Sequence, residues 1–250
     1  MSESFSNFSD DFYVNVDLHT ALQLPQERET VLQFCEAVQK QFPDLSDFYQ
    51  REGDGYVLEG DRGAGSYRWL ELESRRLSSG CFNPAAVQDA YKQHAWLLDR
   101  SRYFLGMSHL DVESLDLVYG FNLDYVGNRD AIVCEALLGG SKLSALLGET
   151  EATAALSFEP SMIISLDREC SLQARLAIET RNSSYQVRTG SYEEEPISVY
   201  FTIRAYPKPT ERFDLTASLT RQAETGEDLV SRVVIPQIIR PIASAIAAAQ

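Results

Sequence analysis

The chain has no C-x-x-C pair, no H-E-x-x-H helix, no G-x-S-x-G elbow and no run of Lys or Arg beyond Arg75-Arg76. Each gap removes a class of chemistry. Its four cysteines, Cys35, Cys81, Cys134 and Cys170, are too scattered for a small zinc site or a disulfide framework. Cys35 and Cys134 fall on apolar helical stripes, where a free cysteine acts as a small hydrophobe, so a reduced compartment is predicted. Phosphate loops fail as well. Gly60–Gly65 leads into a strand rather than a helix, and Gly139-Gly140-Ser141-Lys142 lacks the remaining spacing. No metal and no cofactor is nominated.

Positive charge is also scarce. Against 37 acidic residues stand 22 basic ones, a net charge of −15 that repels nucleic acid and anionic membranes. Met1–Asp11 has neither the basic region nor the apolar core of a signal peptide and reads as a disordered N-terminus, 1–11. No run approaches the roughly 18 apolar residues of a membrane helix. The expectation is a cytoplasmic protein with neither nucleic-acid nor membrane partners.

What is present is patterning. Phe12, Val14, Val16 and Leu18 alternate with Tyr13, Asn15, Asp17 and His19, and Leu115 to Leu123 alternate similarly from Ser114 to Asp124. Side chains in a strand point to opposite faces with period two, so both segments read as half-buried strands. Between them, Val31, Phe34, Cys35 and Val38 give a helix over about 27–41 its apolar stripe. Strands are predicted at Tyr56–Glu59 and Tyr67–Glu73. Asn83-Pro84 reads as the start of a helix running to about Leu105, with His94 on its packed side. The order strand, helix, strand, strand, helix, strand fits a ferredoxin-like βαββαβ unit over 12–126, with its first and fourth strands adjacent.

Residues 127–250 read as a second α+β unit, with 125–150 as the boundary and a possible sheet-to-sheet packing against the first. Asn128 caps a leucine-rich helix. Strands follow at Phe158–Leu166, Ser171–Arg181 and Ile197–Tyr206, with a weaker one at Asp214–Thr220. A final helix from about Glu227, kinked or divided by Pro236 and Pro241, carries Leu229, Val233, Ile238, Ile242 and Ile246 inward. The overall class is α+β, antiparallel sheets with helices on one face. From residue 114 the element order resembles the helix-grip arrangement of hydrophobic-ligand binders, which implies an apolar cavity under the last helix.

Adjacent first and fourth strands would bring His19 towards Asp116 and Asp17. A carboxylate beside an imidazole orients and activates a general base, so these three are the candidate catalytic residues of a hydrolase or isomerase. The competing reading is a solvated antiparallel face, which carries acids for no chemical reason. Tyr13, Asn15, Tyr67 and Trp69, with Arg175, Tyr200 and Arg204 from the second half, are candidate ligand or interface residues. With no catalytic motif present, a non-catalytic binding or assembly module is the leading expectation, with a protein partner or self-association. A small-molecule binder or an enzyme stands behind it.

Overall fold

The structure is a computed structural model that describes residues 5–51, 55–147, 153–209 and 211–250. Among these residues nine strands form one fully antiparallel sheet: β1 (Asp11–Thr20), β2 (Asp47–Gln50), β3 (Tyr56–Glu59), β4 (Tyr67–Leu72), β5 (Arg76–Phe82), β6 (Val112–Tyr125), β7 (Ser161–Ser165), β8 (Leu172–Glu179) and β9 (Glu195–Ala205). Their spatial order is β2-β3-β4-β5-β1-β6-β9-β8-β7. The helices are α1 (Arg28–Gln41), α2 (Val87–Phe104), α3 (Arg129–Leu138), the short α4 (Ser184–Thr189) and α5 (Leu215–Ala249). In its middle, Val230–Ile239, α5 is π-helical.

The order contains a duplication. Each half opens with a strand and a helix, runs through a meander from the sheet edge back to its own first strand, and closes with a helix. The halves meet where β1 pairs with β6, residue 17 opposite residue 116. They therefore join edge to edge in one sheet, which replaces the sheet-to-sheet packing expected from the sequence.

The coarse α+β reading holds, while the strand order departs from the ferredoxin-like arrangement. Two strands escaped the sequence pattern. β2 is short and largely exposed. β5 carries Ser78, Ser79, Gly80 and Cys81, all buried, so no polar alternation marks it. With both added, four strands follow α1, and β5 returns antiparallel beside β1.

Asn83 is not a helix cap. Its backbone is left-handed at φ 45°, its Oδ1 accepts from the Phe12 amide at 2.8 Å, and its Nδ2 donates to Asp11. The helix starts at Val87 instead. Residues 5–11 are ordered rather than disordered. Phe5 is buried, edge-on to the rings of Phe12 and Tyr119, because an aromatic so close to the core gains more by burial than it loses in chain entropy.

The sequence also misreads the C-terminal region. Asp214–Thr220 is helical, with Asp214 as a side-chain N-cap accepting from Ala217. The buried residues of the π-helical part are Val230, Val234, Ile235 and Ile239, while Val233 is exposed. A turn with i to i+5 spacing shifts the inward stripe off the α-helical positions. It also absorbs Pro236, so the 35-residue helix continues unbroken. By length and composition α5 is long and apolar enough to cross a membrane. Here its stripe is packed on the sheet: Gln222 is fully buried and donates to the carbonyls of Leu115 and Ile203, both at 2.7 Å.

Close approach of α5 depends on Gly226. A Cβ there would lie 2.5 Å from the ring of Tyr119, whose hydroxyl is held 2.7 Å from that of Tyr91. Neither ring has room to move. Gly226→Ala is expected to cost about 1–3 kcal/mol through overpacking, more than the roughly 1 kcal/mol that alanine gains in a helix. Urea unfolding of the variant measures the balance, and an unchanged midpoint would refute the close-packing argument.

Candidate functional site

Helices cover one face of the sheet. The other face, between the described residues, is open, and strand register arranges its side chains in rows. One row runs Glu71, Ser78, Asp17, Asp116, Arg204 across β4, β5, β1, β6 and β9. The next runs Trp69, Gly80, Asn15, Val118, Thr202, and continues to Arg175 on β8. The third runs Tyr67, Phe82, Tyr13, Gly120, Tyr200.

The first row gathers the candidate catalytic residues. Asp17 and Asp116 are directly opposite each other, and His19 Nε2 lies 3.8 Å from Asp116 Oδ2. Asp116 is nonetheless committed elsewhere. Arg204 grips it through both Nε, at 2.6 Å, and Nη2, the bidentate geometry in which a carboxylate is held most firmly. The pairing raises the pKa of Arg204. Asp17 accepts from Ser78 Oγ at 2.6 Å. Burial raises its pKa, with Asp116 adding to the effect while Ser78, Arg76 and His19 oppose it. Asp17 and Asp116 are thus already hydrogen-bonded, and Glu71 is ion-paired with Arg51 at 2.8 Å.

The third row is aromatic. Tyr67 and Phe82 stack at 5.1 Å, Phe82 and Tyr13 at 6.1 Å, and Tyr200 meets Tyr13 edge-on at 6.3 Å. Glycines lay these rings flat. A Cβ at Gly120 would sit 2.1 Å from the Tyr13 ring, and one at Gly80 would sit 2.1 Å from the Trp69 indole nitrogen. Burial, followed by the neighbouring Tyr200, raises the pKa of Tyr13. Arg181 fixes the far end of the row, donating to Tyr200 at 2.8 Å, Glu179 at 2.9 Å and Ser198 at 2.9 Å.

All the ligand-site candidates lie on this open face, though not as one group. Tyr13, Asn15, Tyr67 and Trp69 share its centre. Arg204 turns to Asp116 rather than to Tyr200, and exposed Arg175 stands apart on β8. Phe82, Ser78 and Gly80 lie on β5, which the alternation does not mark, while Arg181 and Gly120 fall on expected polar strand faces without a pattern that singles them out. Aromatic residues directly opposite glycines were the available signal. His94 is fully buried, its ring nitrogens 3.1 Å from Ser79 Oγ and 3.2 Å from the Val14 carbonyl oxygen. Among the described residues no cluster of three His, Cys, Asp or Glu is placed to hold a metal ion.

No protein-family model matches the chain, and no curated protein does. Among solved structures, one similar chain is that of CrmK, a flavoenzyme involved in the shunt product recycling mechanism in caerulomycin biosynthesis. The identity is 13% and the TM-score 0.24, over 90% of this chain and 43% of that one. At that score the likeness carries no argument about fold or activity.

Proposed function

We propose that the chain is a non-catalytic binding module that docks a basic protein segment on the open face of its sheet. The observation behind this reading is the aromatic row, Tyr67, Phe82, Tyr13 and Tyr200, bordered by charges already fixed in hydrogen bonds. Rigid aromatics offer contact area at low entropic cost and are enriched at protein interfaces. The net charge of −15 favours a cationic partner and speeds its encounter.

The enzyme reading, with Asp17, His19 and Asp116, is weaker. A general base needs a carboxylate free to orient the imidazole, and Arg204 already occupies Asp116. The helix-grip reading asks for a ligand-sized cavity beneath the last helix. The groove found there, beside Leu229 and Val233, measures about 140 Å³. Sites for small molecules are typically about 300–1,000 Å³.

Phage display of random dodecapeptides against the purified protein tests the proposal. Enriched peptides should combine Lys or Arg with a large apolar residue, and their affinity should fall with added salt. Phe82→Ser should weaken the selected peptides by at least roughly tenfold, the loss of one interface anchor, whereas His19→Ala should leave them unchanged. Peptides indifferent to Phe82→Ser, or a selection that enriches nothing, would defeat it.

A further inference from the structure

The two outer edges of the sheet are built differently. At β2 the edge carries Asp47 and follows Pro43 and Asp44, the charged and proline-containing composition that discourages edge pairing. The opposite edge, β7, is Ser161-Met162-Ile163-Ile164-Ser165, with no charge and no proline. All five residues are exposed, and Met162, Ile163 and Ile164 retain 59%, 62% and 45% of their accessible surface. Beside it, on the helix side of the sheet, Met162 and Ile164 line a nearly wholly apolar groove with Leu176, Leu229, Val233 and Ile238.

We infer that β7 is a self-association edge, at which two copies pair antiparallel about a two-fold axis through Ile163. The sequence of the strand nearly reads the same in both directions. Register centred on Ile163 sets each Ser161 opposite Ser165 of the other copy, and each Met162 opposite Ile164. A two-fold contact demands this kind of self-complementarity.

Hydrogen-bond parity is compatible with that register. The amide of Ile178 donates to the carbonyl of Pro160, and that of Leu166 to Leu172, so the even-numbered residues of this strand bond inward to β8. Ser161, Ile163 and Ser165 direct their amides and carbonyls outward. Those are the residues that the Ile163-centred pairing places opposite one another, giving three hydrogen-bonded pairs.

Side-chain direction agrees as well. Residues directly opposite in an antiparallel pair share a face, so Met162 and Ile164 of both copies lie together on the helix side, over the groove. Charge supplies the remaining constraint. Copies at −15 each repel, and a contact between them is cheapest on an uncharged segment. The contact is independent of the open-face proposal, since β7 is the far edge of the sheet.

Light scattering coupled to size exclusion at roughly 100 μM, a concentration suited to a small interface, reads the state directly. Wild-type protein is expected at twice the 28.1 kDa chain mass. Ile163→Lys, which sets two cations face to face, should return it to a monomer with an unchanged circular dichroism spectrum. In a Cys170→Ser background, which removes the exposed native thiol, Ile163→Cys should form a covalent dimer with oxidised glutathione. The expected Cα separation of about 5.5 Å in such a pair lies within disulfide range. A monomeric wild type, a dimer that survives Ile163→Lys, or the absence of a cross-link would overturn the inference.

Discussion

Arg129→Ala should destabilise the protein by about 3–5 kcal/mol, a large share of the roughly 5–15 kcal/mol that holds a domain folded. Arg129 is fully buried at the start of α3, the largest such side chain among the described residues. Its Nε donates to the Thr180 carbonyl at 2.7 Å, and its Nη1 to those of Glu193 and Glu195 at 2.9 and 3.2 Å. One guanidinium thus ties the end of β8 to the start of β9, closing the excursion that contains α4. Its neighbour Asp130, equally buried, accepts from the Phe158 amide at 2.6 Å and from Thr180 Oγ1 at 2.7 Å.

Truncation strands three carbonyls at once. Each orphaned buried acceptor costs about 1–3 kcal/mol, and the sum is reduced where water enters. Arg129→Lys should rescue little, because an ammonium lacks the planar fork that spans these carbonyls. The melting temperature should fall by roughly 10 °C. Hydrogen exchange should rise first over residues 180–195. A melting temperature within about 2 °C of wild type would show that the clamp contributes little.

The second large effect is a loss of stability in mild acid. Burial lowers the pKa of His94 from its ordinary 6.5 to about 4, so the fold holds the ring neutral. Below pH 6.5 the unfolded chain takes up a proton that the folded chain refuses. Stability from this group is therefore complete above pH 6.5 and drains away as pH falls towards 4. Integrated over that window, the loss reaches about 3 kcal/mol. Asp17 acts in the opposite sense: its raised pKa favours the fold at low pH, an advantage lost as pH rises through the raised value.

Urea unfolding at neutral pH and near pH 4.5 should differ by about 2–3 kcal/mol more in wild type than in His94→Gln. Glutamine has no titrating proton and still carries an amide for the Val14 carbonyl or Ser79. Equal pH dependence in the two proteins would mean that His94 protonates without opposing the fold.

Much of the site was readable from period-two alternation. Phe12 to His19 and Ser114 to Asp124 identified β1 and β6, and their adjacency brought Asp17, His19 and Asp116 together as expected. The alternation did not reveal what else would reach those groups. Arg204 is 88 residues from Asp116 in the chain, and only the pairing of β6 with β9 makes them partners. Asn83 reads locally as a helix cap, whereas its actual role as a brace for β1 depends on an amide 71 residues away.

The sequence by itself determined β1, β3, β4, β6, β8 and β9 and the apolar stripes of α1 and α2, because these follow from local periodicity and solvation. Tertiary structure decided strand order, the edge-to-edge union of two similar halves, and the burial of Arg129 and His94. It also decided that Ser161–Ser165 would be an edge rather than an interior strand. Those outcomes depend on pairing across long separations, where backbone hydrogen bonds are equally available to many strands. The choice falls to the arrangement that buries both helical stripes at once.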